Sequence, residues 1–138
     1  MQYISSNNQQ LNQFYKHNKD KARAKPQDLM YAAINDDGKV CAVLRLLNYD
    51  NFLFLRSVLT ASEYRGLGIA SNLIRHSLDQ QSSLIYTLPT PLALPVYQRL
   101  GFQTVAKQEI PAQLLASYRR FRQGDDAPRV MVIDSSLG

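Results

Sequence analysis

The sequence predicts an α/β (α+β) fold, a mixed and mostly antiparallel central sheet of six to seven strands flanked by about four helices. Three observations predict it. Three strand-like runs follow one another through tight turns before residue 61. The hydrophobic period then becomes helical directly after Gly66 and Gly68, and from there short strand-like and helical runs alternate to the end. A chain of 138 residues is expected to form a single domain, 1–138, with a core that needs no disulfide or metal.

The elements follow in order. "QYI" suits a first strand, and Ser6 with Gln9 gives a capping-box spacing for a helix that runs towards Asn18 with Leu11, Phe14 and Tyr15 on one side. Pro26 breaks the chain. "LMYAAI" and "KVCAVLRLL" read as strands joined at Asp37-Gly38, a strong hairpin signal, and "NYDN" turns into a third run, "FLFLRSVLT". From Ile69, the positions Ile69, Ala70, Leu73, Ile74 and Leu78 form a helical stripe ending near Gln80. "SLIYTL" is the next strand, and Pro89, Pro91 and Pro95 lead into a short helix, "LPVYQRLG", with Gly101 just past its end. "FQTVA" and "RVMVID" are the last strands. Between them "PAQLLASYRRFR" places Leu114, Tyr118 and Phe121 on helical spacing.

Composition narrows the function classes. Hydrophobic residues at 45% and charged residues at 20% suit a globular protein, and no apolar run approaches the roughly eighteen residues of a membrane span. The first ten residues lack a basic and an apolar secretory segment, so the expected location is cytoplasmic. Cys41 lies alone in an apolar run and reads as a core residue; with two histidines besides, no metal-ligand spacing occurs. His17 and His76 read as exposed. The net charge of +5 favours anionic partners, and much of it sits in "KHNKDKARAK" (Lys16 to Lys25) and "RRFR" (Arg119 to Arg122). A nucleic-acid reading would want aromatics interleaved with the basic residues on a defined sheet or a groove-reading helix, and no such motif occurs, so solvated faces beside a phosphate-bearing ligand are the better reading.

The chemistry concentrates in "SEYRGLGIAS", Ser62 to Ser71. A glycine loop between a strand and a helix lets several backbone N–H groups point at one anion, aided by the positive end of the helix dipole. Glycine permits φ > 0 and close approach of a phosphate to the main chain. Arg65 adds a full charge that can grip phosphate oxygens. Three familiar loops fail on the letters. A dinucleotide fingerprint starting at Gly66 would need glycine or alanine where Ser71 stands; no Gly-Lys-Ser/Thr occurs; and a kinase glycine loop lies between two strands, whereas this one opens a helix.

What remains, Arg65-x-x-Gly68-x-Ala70, resembles the pyrophosphate loop of the GNAT superfamily of acyl-CoA-dependent N-acetyltransferases, Gln/Arg-x-x-Gly-x-Gly/Ala between a bulged strand and a helix. "ALPVYQRLGF", Ala93 to Phe102, is similar to a later family motif, a short helix bearing a tyrosine and closing in Gly-Phe. Element order extends the resemblance over essentially the whole chain. It implies acetyl-CoA as co-substrate, no metal, and acetyl transfer to a small-molecule or peptide amine that attacks the thioester directly.

Carried over by residue, the resemblance makes Val58, Leu59 and Thr60 the bulged strand edge that pairs with the pantetheine arm and polarises the thioester carbonyl. Backbone amides of Arg65, Gly66, Leu67, Gly68, Ile69, Ala70 and Ser71 would hold the pyrophosphate, and Tyr97 would protonate the departing thiolate. A phenol with pKa near 10 keeps its proton at neutral pH, which suits that role. Ser62 stands where many members have proline, and Thr90 where many carry an asparagine that contacts the cofactor. Several alternatives stay open. Glu63, Asp50, Glu109 and a water chain are all candidates for the base, Tyr97 also fits a core tyrosine, and "YRRFR" fits an acceptor-lining helix, a packing helix or a homodimer contact. A non-catalytic acyl-CoA-binding module that regulates a protein partner is the competing function. A nucleic-acid binder using Lys16 to Lys25 is the third.

Overall fold

The computed structural model describes residues 1–117 and 129–137, which contain seven strands in one sheet and four α-helices. The N-terminal half is a run of antiparallel neighbours: β1 (Gln2–Ser5), β2 (Leu29–Ile34), β3 (Val40–Asn48) and β4 (Leu53–Thr60). β5 (Leu84–Thr87) then joins β4 in parallel, and β7 (Met131–Asp134) inserts between β5 and β6 (Gln103–Thr104), antiparallel to both. The order is β1-β2-β3-β4-β5-β7-β6. A parallel neighbour requires a crossover, and α2 (Ile69–Asp79) supplies it between β4 and β5.

Both faces of the sheet are covered, which is why its central strands read as continuous apolar runs rather than alternating ones. Alternation still sorts the side chains. In β2, Met30, Ala32 and Ile34 pack with Leu11, Phe14 and Tyr15 of α1 (Asn8–His17), while Tyr31 and Ala33 join Leu73, Ile74 and Leu78 of α2 on the opposite face. The short helix α3 (Leu94–Arg99) adds Tyr97 to the α2 layer, and α4 (Ala112–Ser117) places Leu114 against Phe52, Phe54 and Tyr86. Cys41 is a free, fully buried core residue, as its apolar surroundings suggest. No helix among the described residues is long and apolar enough to cross a membrane.

The structure departs from the sequence reading in a few places. The N-cap of α1 is Asn7, whose Oδ1 accepts from the Gln10 N–H at 2.8 Å, not Ser6. Ser6 still belongs to the sheet ladder, donating its N–H to the Met30 carbonyl at 2.9 Å, and its hydroxyl bonds the Gln10 side chain. His76 is half-buried, because the rings of Tyr31 on β2 (5.8 Å) and Tyr3 on β1 (6.2 Å) pack near it. β6 is only two residues long. Tyr118, Phe121 and "RRFR" lie outside the described residues.

The loop from α1 to β2 is fastened by charge. Asp28 is 4% exposed at its side chain and accepts from Arg45 Nη1 on β3 at 3.1 Å and from the Lys25 N–H at 2.9 Å. A half-broken buried pair leaves an uncompensated charge, so Asp28→Ala should lower unfolding stability by about 3–5 kcal/mol in urea titrations. Asp28→Ala with Arg45→Met should recover part of that loss, and equal midpoints for the single variant and wild type would rule the pair out as a stabilising contact.

Candidate active site

The parallel pairing of β4 with β5 runs only from Leu53–Leu55 to Ile85–Thr87. Beyond it the strands part. Buried Thr87 closes the last rung, its hydroxyl donating to the Leu55 carbonyl at 3.2 Å. Past that point β4 continues to Thr60 without a β5 partner, and a cleft of about 880 Å³ opens between the strands. Its position, outside the carboxyl ends of parallel strands, is where open α/β sheets usually carry ligands.

One wall is β4 itself, and it is irregular. Val43 pairs with Leu59 but Arg45 pairs with Arg56, so Ser57 and Val58 together oppose the single residue Leu44. Ser57 takes φ +57°, a left-handed conformation uncommon for a residue with a side chain. The extra residue reverses the parity of the strand. Leu53, Leu55 and Val58 pack in the α2 layer, whereas Leu59 packs in the α1 layer. Buried Tyr15 and partly buried Arg45 hold the kink. The Tyr15 hydroxyl donates to the Ser57 carbonyl at 2.7 Å, and Arg45 Nε reaches the Ser57 hydroxyl at 3.4 Å. Burial pushes the Tyr15 phenol far above its ordinary value despite the lowering influence of Arg45, so it stays a donor.

The opposite wall is the glycine loop and the start of α2. Ala61 N–H bonds the Cys41 carbonyl at 2.9 Å, a 3-10 turn spans Ser62–Tyr64, and Gly66 and Gly68 then take φ +80° and +77°. No atom lies within 4 Å of a Cβ built on either glycine, so backbone conformation rather than crowding within the chain selects glycine here. Gly68 is the N-cap of α2 and has no side chain to cap with. The Asn72 N–H is the first to bond back, to the Gly68 carbonyl at 3.1 Å, so the first-turn N–H groups of Ile69, Ala70 and Ser71 have no intrahelical acceptor. Arg65 is exposed at the mouth, its Nε donating to the Thr60 carbonyl at 3.2 Å, which ties the loop to the strand end.

Tyr97 forms the inner end. It is 7% exposed, packs edge-on to Phe102 at 5.3 Å, and lines the cleft beside Thr87. Gly101, at φ +103°, turns the chain so that Phe102 N–H returns to the Tyr97 carbonyl at 3.0 Å. Burial raises the Tyr97 pKa, partly offset by its hydrogen bond with Thr87.

Of the residues expected at the site, Val58, Leu59, Thr60, Arg65, Gly66, Gly68, Ile69, Ala70, Ser71 and Tyr97 line this one cleft; Leu67 does not, its side chain pointing to solvent at 67% exposure. Thr90 also lines it, and its carbonyl accepts from Ala93 and Leu94 at the start of α3. Glu63, Asp50 and Glu109 are not on its wall; Asp20 is. Tyr15, Arg45, Ser57, Thr87 and Asp20 escaped the sequence reading. Only Ser57 left a signal there, as the polar interruption that follows Arg56 inside an apolar strand.

Residues 3–102 match the acetyltransferase (GNAT) family. The chain belongs to the GNAT acetyltransferase family. No curated protein matches the sequence significantly. The fold agrees with solved GNAT acetyltransferases. The ribosomal-protein-S18-alanine N-acetyltransferase from Escherichia coli superposes with TM-score 0.69 at 13% identity, over 99% of this chain and 95% of that one. A spermidine N-acetyltransferase chimera from Vibrio cholerae gives 0.69 at 16%, over 99% and 98%. N-acetylglutamate synthase from Neisseria gonorrhoeae, solved with coenzyme A and N-acetyl-glutamate, gives 0.73 at 12%, over 95% of this chain and 34% of that one.

Two substitutions test the walls of this GNAT cleft. Tyr15→Phe strips the Ser57 carbonyl of its partner and should cost about 1–3 kcal/mol in denaturant unfolding, the penalty of an unsatisfied buried acceptor. Gly68→Ala should cost about 1–2 kcal/mol through its left-handed φ alone. A Gly68→Ala protein as stable as wild type would mean that the loop relaxes to a different turn.

Proposed function

We propose that this protein transfers an acetyl group from acetyl-CoA to a primary amine that attacks the thioester directly. The observation that carries the reading is the convergence, on one cleft, of an unpaired strand edge, an uncapped helix N-terminus and a buried tyrosine.

The residues present fit the donor. Main-chain N–H groups of the loop and of Ile69, Ala70 and Ser71 would hold the pyrophosphate, with the α2 dipole and Arg65 countering its charge. The edge of β4 at Val58, Leu59 and Thr60 would hydrogen-bond the pantetheine arm as an added strand and polarise the acyl carbonyl. Acetyl-CoA, when bound, supplies the activated thioester. The amine nitrogen forms the new bond to the acyl carbon as the carbon–sulfur bond breaks, and Tyr97 gives its proton to the departing sulfur. The proton lost by the amine leaves towards solvent, and Asp20 is a carboxylate on the cleft wall that could take it. Positioning and carbonyl polarisation supply most of the acceleration.

One observation favours the second reading, a non-catalytic acyl-CoA-binding module: Glu63, Asp50 and Glu109 are all off the cleft wall. Both readings require that acetyl-CoA raise the thermal midpoint, because a ligand of the native state stabilises it. They part on thiol release with a panel of amines, which only the transferase produces. Tyr97→Phe should lower turnover by about 10²–10⁴-fold while leaving acetyl-CoA binding intact. Unchanged turnover would remove Tyr97 from the mechanism. The pH dependence has a definite sign. Because burial raises the native pKa of Tyr97, its protonated form and the stability it contributes are complete below the ordinary value of about 10, and both are lost as pH climbs through the native value. The alkaline limb set by Tyr97 should therefore lie above about pH 10 and vanish in Tyr97→Phe.

A further inference from the structure

A second groove, of about 470 Å³, runs along the exposed side of α1, walled by Gln9, Asn12, Gln13, Lys16, Lys21 and Arg23. It meets the cleft at Asp20, which lines both. The basic segment forming its outer wall is built rather than loose. Asn12 locks it to the helix in both directions, Nδ2 donating to the Ala24 carbonyl at 3.0 Å and Oδ1 accepting the Ala24 N–H at 2.7 Å. Asp20 N–H bonds the Tyr15 carbonyl at 2.9 Å, and Asp20 Oδ1 accepts the Ala22 N–H at 2.8 Å. Among the described residues, three cations and one carboxylate give the groove a net charge of two positive, and that carboxylate also lines the cleft.

We propose that this groove seats the acidic flank of the acceptor, an acidic peptide whose primary amine enters the cleft past Asp20. The proposal rests on the transferase reading and names its substrate class. The charge order fits such a molecule, with an ammonium meeting Asp20 and carboxylates meeting Lys16, Lys21 and Arg23. A polycation would meet three like charges on the same path. A nucleic acid would want aromatic platforms, and the walls offer the amide side chains of Gln9 and Gln13, which hydrogen-bond a peptide backbone instead. Peptides also carry nucleophilic primary amines.

The test uses the full chain saturated with acetyl-CoA and three C-terminally labelled peptides with free N-terminal amines, flanked by Glu, Ser or Arg. Fluorescence anisotropy gives affinity, mass spectrometry gives acetyl transfer, and spermidine and an RNA oligonucleotide serve as competitors. The Glu peptide should bind about tenfold tighter than the Ser peptide, the preference weakening with salt. Combined Lys16→Glu, Lys21→Glu and Arg23→Glu should invert the order in favour of the Arg peptide and leave the acetyl-CoA thermal shift unchanged. Should that variant not fold by circular dichroism, Lys21→Glu alone should narrow the preference. Equal affinities for the three peptides, an order that survives charge reversal, or stronger competition by spermidine or RNA than by the unlabelled Glu peptide would overturn the proposal. Binding in the expected order without acetyl transfer would support the surface and sink the transferase reading.

Discussion

The hydrogen bond from the Tyr15 hydroxyl to the Ser57 carbonyl joins the α1 layer to the one place where β4 slips its register against β3. Much else follows from that slip. With the extra residue, Val58 faces the α2 layer and Leu59 the α1 layer, and both would exchange faces without it. A left-handed serine is a local cost, and it persists because Tyr15 and Arg45 grip both of its oxygens while Asp28 holds Arg45 in turn. The chain of contacts therefore runs from the α1–β2 loop through β3 to the wall of the cleft.

The cleft itself is a consequence of topology. A parallel neighbour that stops after three residues leaves the rest of β4 without a β5 partner, and the crossover that makes the pairing parallel also delivers the N-terminus of α2 to the same opening. Strand edge and helix end are thus supplied by one βα junction, with Gly66 and Gly68 as the hinge that lets the chain turn between them. Tyr97 arrives from a separate segment. Its place is set by Gly101 and Phe102, which fold the end of α3 back onto the core.

The sequence made some of this legible and hid the rest for physical reasons. Hairpin glycine at 38, the change of period at Ile69 and the Gly-Phe ending of α3 are local features, and each matches the element formed there. Ten of the eleven expected site residues line one cleft, Leu67 excepted. The supporting network was invisible because its partners are far apart in the chain: Tyr15 meets Ser57 across 42 positions, and Arg45 meets Asp28 across 17. Tyr15 on an apolar helix stripe looks like any core aromatic until its hydroxyl has a partner. The cap of α1 was misplaced by one residue because Ser6 satisfies the sheet instead of the helix. His76 looked like a surface residue because its ring partners sit on β1 and β2.

The three-residue seam that ends at Thr87 also joins parts of the chain that lie far apart in sequence. Strands β2, β3 and β4 pair through hairpins, whereas the Thr87–Leu55 contact spans 32 positions and β7 must come back from the far end of the chain to reach β5. Loop-closure entropy is smaller for the β2–β3–β4 hairpins than for the β4–β5 seam, so the hairpins are expected to form first. The cleft lies on that seam. A molecule bound there would touch both β4 and the segment that follows β5, and so would brace the seam between them.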